Sequence, residues 1–209
     1  MKEAGLLHRK RRPHGITKAT TEIQDRENII KRDFSADAPK KKFLTDITEI
    51  QCLDGKLYVS PIMDCFNGEI VALEMRDNMK KELCIDTVKQ LKANCRNLNG
   101  AILHSDRGSQ YTSDNYRNAI SKYGLCQSMN SDGGRCHDNA RCESMWARLK
   151  EEVLYDRYDT KWMTTDEVKV IVWRYFMSYW NNRRICSAIG GMSPATKRQL
   201  YYSKIKAVA

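Results

Sequence analysis

The sequence predicts a mixed α/β fold in which a five-stranded sheet is flanked by helices. Three observations predict it. Short apolar or alternating runs at 43–50, 56–64, 69–76, 101–103 and 125–129 have strand length and are punctuated by turn residues. Longer stretches at 80–95, 113–123, 138–153 and 164–179 repeat their apolar residues at helical spacing. Their order is three strands, then helix, strand, helix, strand, helix, which is the order of a mixed sheet covered by helices.

Phe43 to Ile50 alternates and reads as the first strand, Asp54-Gly55 as a turn, and Lys56 to Asp64 as the second strand. Asn67-Gly68 signals a hairpin because both residues tolerate positive φ, so Glu69 to Arg76 is the third strand. Pro61 lacks a ladder donor and predicts a bulge. Cys84, Val88, Leu91 and Cys95 form one stripe of a helix over 80–95. Ala101-Ile102-Leu103 is a short buried strand that ends in a polar burst, HSDRGSQYTS. Ser113 can cap a helix whose inner face is Tyr116, Ala119, Ile120 and Tyr123. Leu125 to Met129 is the fifth strand, followed by a mobile loop, Ser131 to Arg135. Asp138 is the expected N-cap of the next helix. At about 100° per residue, Cys142, Met145, Trp146, Leu149 and Val153 fall in one arc. Glu143 then lies at the rim of the buried face, with Asn139 and Lys150 on its side. Thr164-Thr165-Asp166-Glu167 reads as a capping box, and Val168, Ile171, Val172, Tyr175, Phe176 and Tyr179 continue an unbroken stripe.

Charge divides the chain more sharply than pattern does. The formal net charge is +10, and residues 1–42 hold 12 Lys/Arg against 6 Asp/Glu, leaving only +4 to the other 167 residues. The predicted organisation is a basic N-terminal arm (1–42), in which Gln24 to Arg32 has the makings of a short helix, a folded core (43–184) and a basic C-terminal tail (185–209) with a frayed end. A basic arm before a nearly balanced domain points to a polyanionic partner, nucleic acid first. No apolar run approaches the ~18 residues of a membrane span, and no signal-peptide core opens the chain. The eight cysteines contain no C-x-x-C pair, which predicts thiols in a reducing cytosol. Cys136, His137 and Cys142 fit no zinc spacing.

The chemistry-bearing residues are acids on separate elements. Asp106 stands just past a strand end, a common position for a catalytic metal ligand. Asp46 lies in an earlier strand and Glu143 on a later helix. The motifs LTDITEI (44–50), HSDRGSQYTS (104–113), SMNSDGGRCHDNARCES (128–144), LKEE (149–152) and YWNNRR followed by SP (179–184, 193–194) occur in that order. Together they resemble the insertion-sequence DDE transposases of the OrfB type, whose catalytic core is retroviral-integrase-like.

The resemblance spans roughly Ala38 to Pro194. It implies a ribonuclease-H-like fold and a transposase catalytic subunit that carries out metal-dependent DNA cleavage and strand transfer. Asp46, Asp106 and Glu143 would be the catalytic acids and would hold two Mg²⁺ (or Mn²⁺) ions, Asp46 bridging both. Lys150 would hold DNA near the scissile phosphate, and Arg107, Gln110 and Asn139 are further candidates for DNA contact or for orienting the acids. Arg183 and Arg184 end a helix with charge suited to DNA phosphate contact or to the helix C-terminal dipole. The implied partners are insertion-sequence ends, target duplex, further copies of the chain on DNA and the protein of the upstream frame, in the bacterial cytoplasm at the nucleoid. Two features depart from the family pattern. There are 36 residues between Asp106 and Glu143, one more than usual, the extra one falling in Asp132-Gly133-Gly134. Glu49 and Cys186 stand where relatives carry Tyr and His. Two other functions remain compatible with these residues: a catalytically inactive DNA-binding remnant, and a structure-selective nuclease on the same fold.

Overall fold

In the computed structural model the described residues are 28–131, 136–155 and 157–208. The basic run at 8–15, the Asp132-Gly133-Gly134 loop and the first half of the predicted Gln24–Arg32 helix lie outside them. Residues 28–32 form a turn rather than a helix. Asn28 Oδ1 accepts from the Lys31 amide at 2.9 Å, and Lys31 and Arg32 both take positive φ.

The sheet is mixed and has six strands: β1 (Lys42–Thr45), β2 (Thr48–Cys52), β3 (Gly55–Asp64), β4 (Ile70–Arg76), β5 (Ile102–Ser105) and β6 (Cys126–Met129). The spatial order is β2-β3-β1-β5-β6, with β4 on the other edge of β3. β1 and β2 are the single strand expected at 43–50, interrupted at Asp46-Ile47. Both halves pair antiparallel with β3 in one unbroken register, Phe43↔Asp64 and Thr45↔Ile62 before the break, Thr48↔Val59 and Cys52↔Gly55 after it. That register carries Asp46 opposite Pro61, which has no N–H to give the ladder. The Ile47 amide meanwhile donates at 2.9 Å to Asp46 Oδ1, so a local side-chain acceptor takes a donor from the sheet. The bulge expected at Pro61 lies one residue further, between Ile62 and Met63, where β3 pairs with β4.

Helices cover both faces. On one, α1 (Lys81–Asn94) and α3 (Asp114–Lys122) close over Phe43, Ile62, Ala72 and Leu103. A short α2 (Ser109–Thr112) precedes α3, and Ser113 caps α3 as expected. On the other face, α4 (Ala140–Leu149), which runs on as a π-helical segment through Leu154, packs with α5 (Thr165–Trp173) over Ile50, Leu57, Val59, Met63 and Leu73. The helix of α5 also widens into a π-helical segment, Arg174–Trp180. The capping box at Thr164 and Glu167 is present. Of the expected stripe, Val168, Val172, Tyr175 and Phe176 are buried, Ile171 is half-buried and Tyr179 is exposed.

Two terminal expectations change. The chain end is not frayed: α6 (Pro194–Val208) is helical to its last described residue. It docks on the β3–β4 turn, where Asn67 Nδ2 donates to Pro194 O at 2.8 Å, Arg198 pairs with Glu69, and Tyr201 meets Phe66 edge-on at 5.1 Å. Arg198 finds its acceptor on a distant turn and Lys197 lies over the Phe66 ring, which local composition does not reveal. At the other end, folded contacts begin before the boundary drawn at Phe43. Ile30 is buried against Leu44, Cys65 and Cys142, and Arg141 Nη1 donates to the carbonyls of Phe34 and Cys65, each at 2.7 Å.

The side chain of Asn181 substitutes for a strand. Its Oδ1 accepts from the Ile70 amide and its Nδ2 donates to the Ile70 carbonyl, both at 2.9 Å and both buried. Asn181→Ala strands two buried backbone groups and is expected to lower stability by about 2–4 kcal/mol. Urea melts check this; a loss below about 1 kcal/mol would mean that water reaches the β4 edge.

Candidate active site

β1 and β5 are parallel neighbours paired Lys42↔Ile102, Phe43↔Leu103 and Leu44↔His104. Two residues further along each strand, the same register brings Asp46 level with Asp106. Neighbouring strands lie only about 4.8 Å apart, so two carboxylates emerge side by side at the C-terminal ends of parallel strands. Each is half-buried and each is held. Asp46 Oδ1 accepts from the Ile47 amide at 2.9 Å and its Oδ2 from Trp146 Nε1 at 3.0 Å. Asp106 Oδ1 accepts from the Gly108 amide at 2.9 Å.

The electrostatics follow from that crowding. Burial, then the neighbouring Asp106 charge, and last Glu143, push the Asp46 carboxyl up to about 7, against the opposing hydrogen bonds from Ile47 and Trp146. Burial also raises Asp106, against the Gly108 amide. Two adjacent carboxylates that resist ionisation are the condition a bound cation relieves. Their hard oxygens suit a divalent ion such as Mg²⁺. Glu143 is exposed on α4, at the rim as its spacing predicted, one turn before the Trp146 that grips Asp46. Among the described residues no three His, Cys, Asp or Glu side chains are gathered closely enough to hold an ion as they stand. The donor set therefore fits as an aspartate pair with a third carboxylate beside it.

The Integrase core domain family matches residues 36–134, and a second family of the same description matches 125–194. An uncharacterized transposase-like protein of Haemophilus influenzae is 39% identical over 174 residues, covering 82% of this chain and 77% of that one. This chain belongs to the integrase-core family of insertion-sequence transposases. The putative transposase InsK for insertion sequence element IS150 of Escherichia coli is 34% identical over 86% of the chain, and the transposase for insertion sequence element IS904 of Lactococcus lactis 35% identical over 81%. The chain spans 62% and 65% of the lengths of those two relatives, less than two thirds of each. Among solved structures, the simian T-cell lymphotropic virus intasome in complex with a PP2A regulatory subunit aligns with a TM-score of 0.64 at 14% identity, over 87% of this chain and 61% of that one. The HTLV-2 integrase catalytic core domain in complex with magnesium aligns at 0.53 and 15% identity, over 77% of this chain and 97% of that one. At those identities the likeness is one of fold, and the fold is ribonuclease-H-like.

The remaining candidates of this integrase-core chain divide by what they touch. Arg107 Nε donates to Asn130 O at 2.7 Å and ties the end of β5 to the end of β6. Gln110 is buried and its amide donates to Met79 O at 2.9 Å. The Gln110 side chain is thus turned inward, toward the residues that precede α1. Asn139 is buried too. Its Nδ2 reaches Thr45 O at 3.4 Å, next to Asp46, while its Oδ1 has no hydrogen-bond partner among the described residues. Lys150 is half-buried two turns past Glu143, on a cleft of about 600 Å³ shared with Glu49, Gln51 and Tyr158. Arg183 is exposed. Arg184 is engaged: Nη2 and Nε reach Glu152 Oε1 at 2.7 and 3.0 Å, and its guanidinium lies 4.7 Å over the Trp180 ring. Asp138 is not the N-cap of α4, a position held by Asn139. Its carboxylate instead accepts from Arg32 Nε at 2.7 Å and from the Ser131 amide at 3.0 Å. Those bonds hold it down at about 2 despite burial.

Sequence reasoning missed Trp146 and His104. Trp146 was read as core, which it is, but its N–H also faces an acid. His104 is fully buried between the strand ends, its Nδ1 2.8 Å from Ser128 Oγ and its Nε2 3.0 Å from both Asn130 Oδ1 and Asp138 O. Both partners of Nε2 are acceptors, so the neutral ring carries its proton there and Nδ1 accepts from Ser128. A histidine on the inward side of a buried strand, two residues before an acid, was the available signal.

Proposed function

We propose that this chain is the catalytic subunit of a transposase that cleaves DNA at the ends of its element and joins them to a target duplex. The observation that carries this reading is the parallel β1–β5 register, which sets Asp46 beside Asp106 at one end of the sheet with the Glu143 helix against them. Asp46, Asp106 and Glu143 would hold the divalent ions, two Mg²⁺ or Mn²⁺ in this reading. When bound, the ions supply the Lewis acidity that activates the attacking oxygen and stabilises the leaving one. Trp146 and the Ile47 amide hold the Asp46 carboxylate in one orientation, and Lys150 and Arg183 hold DNA phosphate. The basic residues of 1–42 add phosphate contacts without sequence readout. DNA ends, target DNA, further copies of the chain on DNA and the upstream-frame protein are the proposed partners. Among the described residues no helix is long and apolar enough to cross a membrane.

The test is metal-dependent joining of labelled element ends to a plasmid, with and without the upstream-frame product. Joined product supports the reading. Nicking without joining would favour the nuclease, and binding without either would favour the inactive remnant.

A smaller prediction isolates the indole. Trp146→Phe keeps the edge contact to Phe176, now at a centroid distance of 6.0 Å, and removes only the N–H donated to Asp46. Losing a hydrogen bond that orients a metal-ligating carboxylate typically costs about tenfold in metal affinity. Calorimetry with Mg²⁺ should show that weakening, and joining should recover at saturating Mg²⁺. Unchanged affinity would reduce Trp146 to packing alone.

A further inference from the structure

A pocket of about 320 Å³ opens beside α4, between that helix, the β3–β4 turn and residues 185–188. Arg141, Ser144 and Arg148 form one stripe of α4, turned roughly 100–160° from Glu143 at 100° per residue, so this pocket is separate from the acids. Arg184 completes it from the other side. Three guanidinium groups line it and no carboxylate does.

Donor accounting shows what these groups have left to give. A guanidinium carries five N–H bonds. Arg184 uses Nε and Nη2 on Glu152 and keeps Nη1. Arg141 uses Nη1 on the Phe34 and Cys65 carbonyls, while its Nη2 lies 3.4 Å from where a Cβ on Gly68 would stand, at the pocket wall. Arg148 pairs with Glu151 at 3.5 Å, with side chains 52% and 60% exposed, and its charge also reaches Glu152. Two of the three cations are thus anchored by the fold with donors unspent, and the third is held loosely by solvent-screened charges. Fixed guanidinium forks with spare donors match the oxygens of a phosphate, and fixing them beforehand removes the ordering cost from binding.

We propose that this arginine pocket binds a backbone phosphate of DNA, outside the acid site. The identification of the phosphate as DNA rests on the transposase reading; the affinity for phosphate does not. Arg148 is the residue to change, because its pair with Glu151 contributes little to folding. Arg117 on α3 is the matched control: its side chain is 53% exposed and its one pair, with Asp114, is at 3.8 Å.

Two measurements decide the proposal, each on the full chain as wild type, Arg148→Ala and Arg117→Ala. In the first, inorganic phosphate replaces chloride at matched ionic strength; it should raise the melting temperature of the wild type and of Arg117→Ala, and not that of Arg148→Ala. In the second, duplex binding is followed against salt. Arg148→Ala should lose about 0.9 from the log–log slope and bind roughly tenfold more weakly at low salt, with Arg117→Ala close to wild type. Arg148→Ala matching Arg117→Ala in the duplex measurement overturns the proposal. A wild type that binds no duplex at all would sink the DNA reading instead; the phosphate measurement then decides the pocket by itself, and equal melting shifts in the two variants overturn it.

Discussion

Asp106→Asn is expected to abolish DNA cleavage and joining, leaving less than about a hundredth of the wild-type rate, while the metal-free protein becomes more stable. The two effects have one cause. Asp106 faces Asp46 across adjacent parallel strands, and its charge is the second-largest reason, after burial, that the Asp46 carboxyl is pushed from 3.8 to about 7. A carboxyl whose folded pKa lies above its unfolded value binds its proton more tightly in the native state, so native stability falls as pH rises from about 4 to about 7. Removing the Asp106 charge lowers the folded pKa of Asp46 and recovers part of that loss. Asn can still accept from the Gly108 amide through its Oδ1. The gain should therefore be close to nothing at pH 4 and reach roughly 1–2 kcal/mol above pH 7. Melting in chelator at both pH values reads the stability, and a strand-transfer assay reads the chemistry. More than about a tenth of wild-type joining, or a stability difference that does not grow with pH, would contradict the aspartate pair.

Three glutamates within ten residues of one helix should separate cleanly on conversion to Gln. Glu143 is near enough to Asp46 for its charge to register there; Glu143→Gln should cost two or more orders of magnitude in joining, like Asp106→Asn. Glu151 is an exposed member of a weak pair, so Glu151→Gln should keep joining within a few-fold and melt normally. Glu152 accepts from Arg184 and, at 2.9 Å, from the Tyr175 hydroxyl. Its carboxylate joins the π-helical extension of α4 to the end of the α5 helix. Glu152→Gln should therefore lower the melting temperature and leave the rate per folded molecule largely intact. Its half-exposed position holds the expected stability loss to about 1 kcal/mol. Equal losses of joining in all three variants would mean that α4 does not present Glu143 to the acid pair.

The local elements were legible in the chain alone, as was the choice of the three acids proposed as ligands. Alternation, helical stripes, the Asn67-Gly68 turn and the Thr164–Glu167 capping box are short-range signals, because each depends on residues within one or two turns. The position of Glu143 at a helix rim followed from the same arithmetic, and the ordered motifs named the three acids. Tertiary structure alone decided what each polar group is spent on. Pro61 pointed to a bulge, but only the pairing with β1 and β2 shows that it stands opposite Asp46, where the ladder breaks. Gln110 and Arg184 look in sequence like groups free of the fold; one is turned in to Met79 O, and the other is anchored on Glu152 and stacked on Trp180, which leaves it Nη1 to give. Trp146 looks like core and is also the donor to Asp46, a partner 100 residues away. The basic chain end looks frayed and is a helix docked on the β3–β4 turn. The physical reason is common to all five. Burial pattern is a property of a residue and its near neighbours, whereas a hydrogen-bond partner or a counter-charge is chosen by whichever distant segment the packing brings within about 3 Å, and no local periodicity encodes that choice.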